Sequence, residues 1–410
     1  MNASRSTATV VLGIFCLAGA VFAAVSTHDY VAYLDRQVHA ITCSFVPGLG
    51  AKDTTGSSGC HTVMMSPYSA VLRTSTWGGI PISLPGLAVF AFLLFRVLDL
   101  LARGRTGDPV ETRITLAVTA LPLAMSVIYL AISILRVGAV CKLCIGIYLS
   151  SLGAFVVAFI IHRRAARGAP AAGPPASSRA AWARCLLEGV VFVAIPVALY
   201  LALKPPYADK MADCGSLRQP EDRYGVRVEL SKELNGVPAI ELLDPLCPAC
   251  KGFAQRLEAS DLTERLQLQA VLFPLDTKCN WMVSDSLHPG ACAVSEAVLC
   301  AGVQAKDVLA WAFANGEELR ELGRKGEAAL VTRIKMQFPQ LSDCLGKPAV
   351  RARLNRSLRW AVANSLPVVT PQLFVRGQKV CEEDTDLGLE YVLSRLLTKP
   401  AATAKGAGAR

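Results

Sequence analysis

Long apolar runs fill the first half of the chain and give way to shorter, interrupted ones in the second. Residues 6–27, 77–95, 114–135 and 143–161 contain no charged side chain. A helix needs roughly 20 mostly apolar residues to cross the hydrocarbon core of a bilayer, so each run predicts a span. A fifth run, 185–203, carries Glu188 near one end and Pro196 in its middle, the least regular of the set. The first run is longer than the apolar core of a cleaved signal, and no A-x-A site follows it; it reads as a retained anchor.

The connectors between runs orient them. "ARGRTGDPVETR" holds Arg103, Arg105 and Arg113, and "HRRAARGAPAAGPPASSRAAWAR" holds Arg163, Arg164, Arg167, Arg179 and Arg184 with no acid. Basic residues in short connectors stay cytoplasmic, so both connectors and the N-terminus, with Arg5, are expected inside. The loop 28–76, the tight connection 136–142 and everything after 204 then face outward. In a bacterial inner membrane that side is the periplasm.

Composition agrees with a multi-pass protein bearing an exported domain. Of 410 residues 52% are hydrophobic and 18% charged, and the formal net charge is +10. The excess charge lies largely in those connectors, and no nucleic-acid motif accompanies it, so a nucleic-acid partner is not expected. The 14 cysteines against 5 histidines carry the chemistry. Cys16 lies within a span and Cys185 at an inner end; the others fall outside or at the outer edge, as an oxidising compartment requires.

Two pairs belong to the membrane half. Cys43 and Cys60 lie in the first outer loop, and Cys141-Lys142-Leu143-Cys144 opens the fourth span. Facing dithiols pass a disulfide between them through a mixed disulfide, given a thiolate and an accessible sulfur. A movable loop pair is the natural carrier beside a fixed helix-end pair. Two bland readings stand beside this: a static Cys43–Cys60 bridge, or a zinc site built from the four sulfurs. Lys142 reads as an interfacial lysine reaching the headgroups, although a cation beside Cys141 also favours its thiolate. Two thiols delivering two electrons at a membrane edge suit a lipid-soluble two-electron acceptor.

These residues resemble the vitamin K epoxide reductase family over about residues 8–162. The likeness rests on the loop pair, Cys60-x5-Ser66, the stretch "SPYSAVLRTSTWGGIPISLPGLAVF", and Cys141-x2-Cys144-x3-Tyr148. It implies a four-helix bundle around a quinone such as ubiquinone or menaquinone. By that resemblance Cys144 lies beside the quinone ring, Cys141 faces the loop, Cys60 exchanges with Cys141, and Cys43 meets the soluble redox partner. Tyr148 is implied to hydrogen-bond a quinone oxygen, with Ser66 near the active site. The stretch around Ile82 and Ser83 offers no asparagine, which the family uses as a quinone ligand.

After the fifth run, "VPAIELLDPLCPACKGFAQRLE" reads as strand, turn and helix, with the strand at 238–244. Cys247-Pro248-Ala249-Cys250 opens the helix, where free backbone N–H groups and the helix dipole stabilise a thiolate. This part is similar to thioredoxin-fold proteins of the DsbA-like kind. By that similarity Glu241, six residues before Cys247, is a buried acid for proton handling. By the same similarity "VVTPQLFVRG" is the cis-proline strand, with Thr370-Pro371 facing the sulfurs; an edge-strand proline is the lesser alternative. Residues 276–363 correspond to a helical insertion. Cys214, Cys279, Cys292, Cys300, Cys344 and Cys381 read as structural; Cys279 with Cys292 is the expected pair among the fifteen possible arrangements. His288 in "LHPG" reads as a turn residue.

The expected architecture is therefore multi-domain. An all-α transmembrane bundle of four helices over 1–162 is joined by a cytoplasmic linker (163–184) to a fifth linking helix at 185–203. An outer linker (204–235) precedes an α/β thioredoxin-like domain at 236–398, with its insertion at about 276–363, and 399–410 form a disordered tail. The expected activity is protein disulfide generation. Reduced exported proteins pass electrons to Cys247/Cys250, then Cys43/Cys60, Cys141/Cys144 and a membrane quinone, with no metal involved. The alternatives are an outward electron conduit serving a disulfide reductase or isomerase, and a disulfide-stapled binding protein on a membrane anchor.

Overall fold

The computed structural model describes residues 2–34, 41–43, 52–53, 59–167, 178–203, 214–231, 235–260, 262–381 and 387–398. Parts of the connectors expected at 163–184 and 204–235, namely 168–177, 204–213 and 232–234, and the tail at 399–410 lie outside them. The chain divides into two compact units, Met1–Pro206 and Tyr207–Arg410.

The first unit is helical. Helix α1 (Asn2–Leu34) is followed by a two-residue antiparallel pair, β1 (Ile41–Thr42) with β2 (Lys52–Asp53), and by the short helix α2 (Gly59–Met65). A second small pair, β3 (Ala70–Val71) with β4 (Ile80–Pro81), leads into α3 (Ser83–Ala102). Then come α4 (Pro109–Ile132), α5 (Lys142–Arg167) and α6 (Ser178–Leu203). Helix α1 packs on α3 and α5, α4 on α5, and α6 on α3 and α4. The core holds Leu12, Cys16, Phe90, Leu93, Ala154 and Ala158, from α1, α3 and α5. Leu17, Leu98, Val127, Leu149 and Leu187 face outward and are exposed, the apolar exterior a helix shows to lipid.

Two boundaries differ from the sequence expectation. The span expected at 77–95 becomes a helix only at Ser83, because Gly78 and Gly79 take φ of 65° and 72° and Pro81 pairs in β4. It then runs on past charged residues to Ala102, since Arg96 is buried against Glu111 at 2.6 Å. The connector 163–184 is also shorter than expected: α5 continues to Arg167 and α6 begins at Ser178. Arg164 and Arg167 sit in the last turn of α5, where cations complement the helix dipole.

The second unit is built on a mixed sheet of order β5-β7-β6-β8-β9. Its members are β5 (Val228–Glu229), β6 (Val237–Leu243), β7 (Leu266–Leu272), β8 (Gln372–Val375) and β9 (Gln378–Lys379). Strands β6 and β7 are parallel, joined through α7 (Pro248–Ala259), and β8 runs antiparallel to β6. Helices α8 (Ala291–Ala301), α9 (Ala305–Ala314), α10 (Gly316–Lys325), α11 (Glu327–Gln337) and α12 (Pro348–Ala363) come between β7 and β8, and α13 (Leu389–Thr398) follows β9. The twofold alternation of a strand sorts β6. Ile240 and Leu242 pack with Phe374, Val271 and Trp360 on one face, while Leu243 packs with Leu246, Cys247 and Cys250 on the other.

Residues 214–231, expected in a linker, belong to this unit. Leu217, Val226 and Val228 are buried, Cys214 is bridged to Cys381, and β5 pairs with β7. The helices of the insertion begin only at Ala291; 276–290 is irregular. Among the described residues, six helices are long and apolar enough to cross a membrane by length and composition. Five are α1 and α3–α6. The sixth, Ala291–Ala314, is α8 and α9 with a turn at Gly302 between them, and residues 291–299 of α8 are all buried in the core of the second unit. Its apolar character is that of a domain interior.

Candidate functional site

Four sulfurs gather at one end of the first unit. Cys43 and Cys60 form a disulfide with Cα atoms 5.7 Å apart, and Cys141 and Cys144 are free thiols. Cys60 and Cys141 are buried and share one packed cluster with Leu143, Phe22, Cys43 and Cys144. Helix α4 ends in a π-helical turn at Ser133–Val137, and Gly138 reverses the chain so that Cys141 stands just before α5. The Cys144 backbone N–H donates to the Cys141 sulfur at 3.3 Å, the hydrogen bond that a sulfur at a helix N-terminus receives.

The loop disulfide is held from both sides. On one, the Thr42 N–H donates to the Asp29 carboxylate of α1 at 2.7 Å, fixing the residue before Cys43. On the other, Gly59 brings α2 against the backbone of Val140, the residue before Cys141; a Cβ on Gly59 would lie 2.3 Å from the Val140 carbonyl oxygen.

Beside the sulfurs is a cavity of about 440 Å³, lined by Cys60, Ser66, Cys141, Cys144 and Tyr148 among others. Its walls are mostly apolar, with Val89, Phe90, Leu121, Met125 and Ile147 contributing. The polar groups include Tyr129 and a buried pair, Ser126 and Ser151, whose hydroxyls are 3.0 Å apart. Ser66 turns its hydroxyl onto the Val63 carbonyl at 2.7 Å, and the buried Arg73 donates to the Ser66 carbonyl at 2.7 Å. The rim of this apolar space is thus braced by loop residues that also carry Cys60. The volume and mostly apolar walls, with Tyr129 and Tyr148 among the lining residues, fit a flat lipid-soluble ring.

The second unit brings Cys247, Cys250, Glu241 and Pro371 together. Cys247 is the N-cap of α7, with Pro248 in the first turn. Its sulfur lies 3.7 Å from the Thr370 carbonyl oxygen, and Thr370–Pro371 is cis. The hydrogen bond from the Cys250 side chain lowers the Cys247 thiol to about 6, despite the opposing cost of burial, with help from backbone N–H groups and Thr370. Burial pushes Cys250 well up, and the Cys247 sulfur adds to this. The two thiols are therefore unequal: Cys247 is the more readily ionised, and Cys250 holds its proton. Glu241 is 2% exposed and its Oε1 has no hydrogen-bond partner among the described residues. Burial, and then the Cys247 charge, raise Glu241 to about 8.

The remaining cysteines pair as Cys214–Cys381, Cys279–Cys292 and Cys300–Cys344. Cys279–Cys292 is the expected pair; the other two join residues too far apart in sequence for spacing to select. Cys16 and Cys185 are buried free thiols. Asp29, Gly59, Tyr129 and the Ser126–Ser151 pair were not foreseen from the sequence. None belongs to a spaced motif, and each acquires meaning only through the helix it faces.

Among curated proteins none matches the chain. Residues 10–159, which contain all four sulfurs of the first site and most of the cavity wall, match the model of the vitamin K epoxide reductase family, so the helical unit carries a domain of that family.

Proposed function

We propose that this protein is a membrane thiol:disulfide oxidoreductase that makes disulfides in exported proteins and discharges the electrons into a quinone. The observation that carries the reading is the position of Cys141 and Cys144, in contact with the loop disulfide and lining the same apolar cavity.

The chemistry divides into exchanges that balance. A substrate dithiolate attacks the Cys247–Cys250 disulfide; a mixed disulfide forms and resolves, leaving an oxidised substrate and two thiols on the protein. The Cys247 thiolate then attacks the Cys43–Cys60 disulfide, Cys250 displaces it, and the loop pair becomes the dithiol. Cys60 passes the two electrons to the Cys141–Cys144 disulfide by the same exchange. A quinone in the cavity would supply the two-electron, two-proton sink. Cys144 and Tyr148 line the space it would occupy, and Tyr148 would orient it through its hydroxyl. Glu241, raised to about 8, is suited to take the proton from the buried Cys250 as that thiol attacks.

The second unit reads as a thioredoxin-like domain with a helical insertion. The support is the β6-α7-β7 unit, the cysteine at the helix N-terminus and the cis Thr370–Pro371 beside it. Joining both units in one chain makes their exchange intramolecular, at an effective concentration that a short linker raises to the millimolar range. In this reading the N-terminus lies in the cytoplasm and the sulfurs and second unit in the periplasm of a bacterial inner membrane, an orientation that the arginine-rich connectors support. The lowered Cys247 thiol supports an oxidising direction of flow, since a stabilised thiolate favours the reduced pair and makes its disulfide the stronger oxidant.

The test mixes the purified chain with a reduced, unfolded disulfide protein and a soluble quinone, following thiol loss and quinone reduction together. Two thiols are expected to disappear for each quinone reduced, since each disulfide formed releases two electrons. Thiol loss without quinone consumption rejects the membrane route, and quinol-driven reduction of a substrate disulfide reverses the direction.

A further inference from the structure

The four-residue turn that delivers Cys247 is fastened by two side chains from the helical insertion, His288 and Arg320. Asp244, fully buried, accepts from Leu246 N–H at 2.7 Å on one oxygen and from Leu275 N–H at 2.7 Å on the other. That second oxygen also lies 2.8 Å from His288 Nδ1, and the Asp244 carbonyl accepts from Cys247 N–H at 3.2 Å. Arg320 donates to the Leu246 carbonyl at 2.7 Å. His288 is itself tightly placed. It sits inside the 13-residue loop closed by Cys279–Cys292, its backbone N–H donates to the Leu275 carbonyl, and Asp276 holds Gly290 N–H at 2.8 Å just beyond it. A turn residue needs none of this.

The two residues between the catalytic cysteines, Pro248 and Ala249, carry no charge. The C-x-x-C motif itself therefore offers no cation to steady the Cys247 thiolate. We propose that His288, oriented by Asp244 on the turn that delivers Cys247, supplies such a cation: a positioning residue from the insertion that adjusts the thiolate fraction and oxidising strength of Cys247. The proposal rests on the reading of Cys247 as the exchanging nucleophile.

The Asp244 carboxylate and the Cys247 sulfur act on the ring in the same direction. Burial works to lower His288, but the hydrogen bond and charge of Asp244 outweigh it, and the Cys247 sulfur adds to the rise; Arg320 opposes. The reciprocal effect is felt at Cys247, where His288 assists the larger contribution of Cys250. Arg320 is engaged by the Leu246 carbonyl and by Glu317 at 2.7 Å, which leaves His288 as the ring that answers to pH. Protonation of His288 stabilises the thiolate but not the disulfide, so it favours the reduced pair.

The experiment uses the full chain in detergent. Alkylation of Cys247 by iodoacetamide is followed against pH by mass spectrometry of its peptide, in the wild type and in His288→Gln. In the variant the alkylation midpoint is expected to rise by about one pH unit, and the equilibrium constant with glutathione to shift about tenfold towards the disulfide. An unchanged profile in a folded variant, judged by melting and by intact structural disulfides, overturns the role of His288. Should the variant fail to fold, wild-type protein labelled in its 5 histidines answers instead. One histidine resonance is expected to titrate higher when Cys247–Cys250 is reduced; if none responds, the proposal falls. Loss of substrate oxidation by the wild type would overturn the relay while leaving both of these readouts measurable.

Discussion

Gly59 and Val140 touch backbone to backbone: a methyl group on Gly59 would stand 2.3 Å from the Val140 carbonyl oxygen. Their chain neighbours are Cys60 and Cys141, so this contact sets how closely the loop sulfur approaches the helix-end sulfur. The obstacle is a carbonyl, which cannot rotate away as a side-chain tip can. Gly59→Ala is therefore expected to displace α2 and to slow transfer between the loop pair and Cys141/Cys144 roughly 10- to 100-fold. Single-turnover quench-and-alkylate measurements report that step directly. A transfer rate equal to wild type would show that the close approach has no part in exchange.

Cys247 and Glu241 tilt the stability of the reduced second unit in opposite directions. Cys247, lowered from 9.0 to about 6, contributes stability that is complete above pH 9 and lost as pH falls through 6. Glu241, raised from 4.5 to about 8, contributes stability that is complete below pH 4.5 and lost as pH rises through 8. Glu241→Gln removes the second slope. With the Cys247/Cys250 pair reduced and the structural disulfides intact, the variant is expected to gain on wild type as pH rises from 5 to 9. The gain should reach a few kcal/mol, since each tenfold difference in proton affinity between folded and unfolded chain is worth about 1.4 kcal/mol. A difference in melting midpoint that stays flat over this range would remove Glu241 from the titrating groups. Resolution of mixed disulfides should meanwhile slow, because Cys250 loses its proton acceptor.

The helices and the cysteine pairs were legible because each has a local signature: an uncharged run long enough to span a bilayer, or two cysteines at the start of a helix. Boundaries were less so. The glycine turn before Ser83 and the buried Arg96–Glu111 pair moved α3 along the chain by several residues, and both depend on partners distant in sequence. The segment 214–231 read as linker because its strand is only two residues long; its pairing with β7 and the Cys214–Cys381 bridge are long-range facts. His288 shows the same limit in the site. "LHPG" has turn chemistry, and only the fold reveals Asp244 beneath the ring.

Cys300–Cys344 closes 44 residues of the insertion, against 13 for Cys279–Cys292. On the chain-entropy account the first is worth about 4 kcal/mol and the second about 3. Replacing Cys300 and Cys344 by alanine is expected to lower the melting temperature of the second unit while leaving the Cys247 alkylation profile unchanged. Replacing Cys279 and Cys292 should cost less stability yet raise the Cys247 midpoint, because that bridge closes the loop carrying His288. If the two double variants alter Cys247 equally, the loop does not transmit to the sulfur.

Gly86 offers a way to separate cavity from sulfur chemistry. It lies in α3 and lines the cavity with Cys144 and Tyr148, and a Cβ there meets nothing within 4 Å. A larger residue is therefore accepted by the fold, and leucine is the better helix former by close to 1 kcal/mol. Gly86→Leu fills space that the proposed acceptor needs but touches none of the four cysteines' partners. The expected result is a KM for a short-chain quinone raised about tenfold, with disulfide transfer from loop to Cys141 unchanged, since only binding common to ground and transition states is lost. Cys144→Ala makes the complementary case: quinone reduction stops altogether while the cavity remains. Should Gly86→Leu leave KM as it was, the electrons leave the protein by a route other than this cavity.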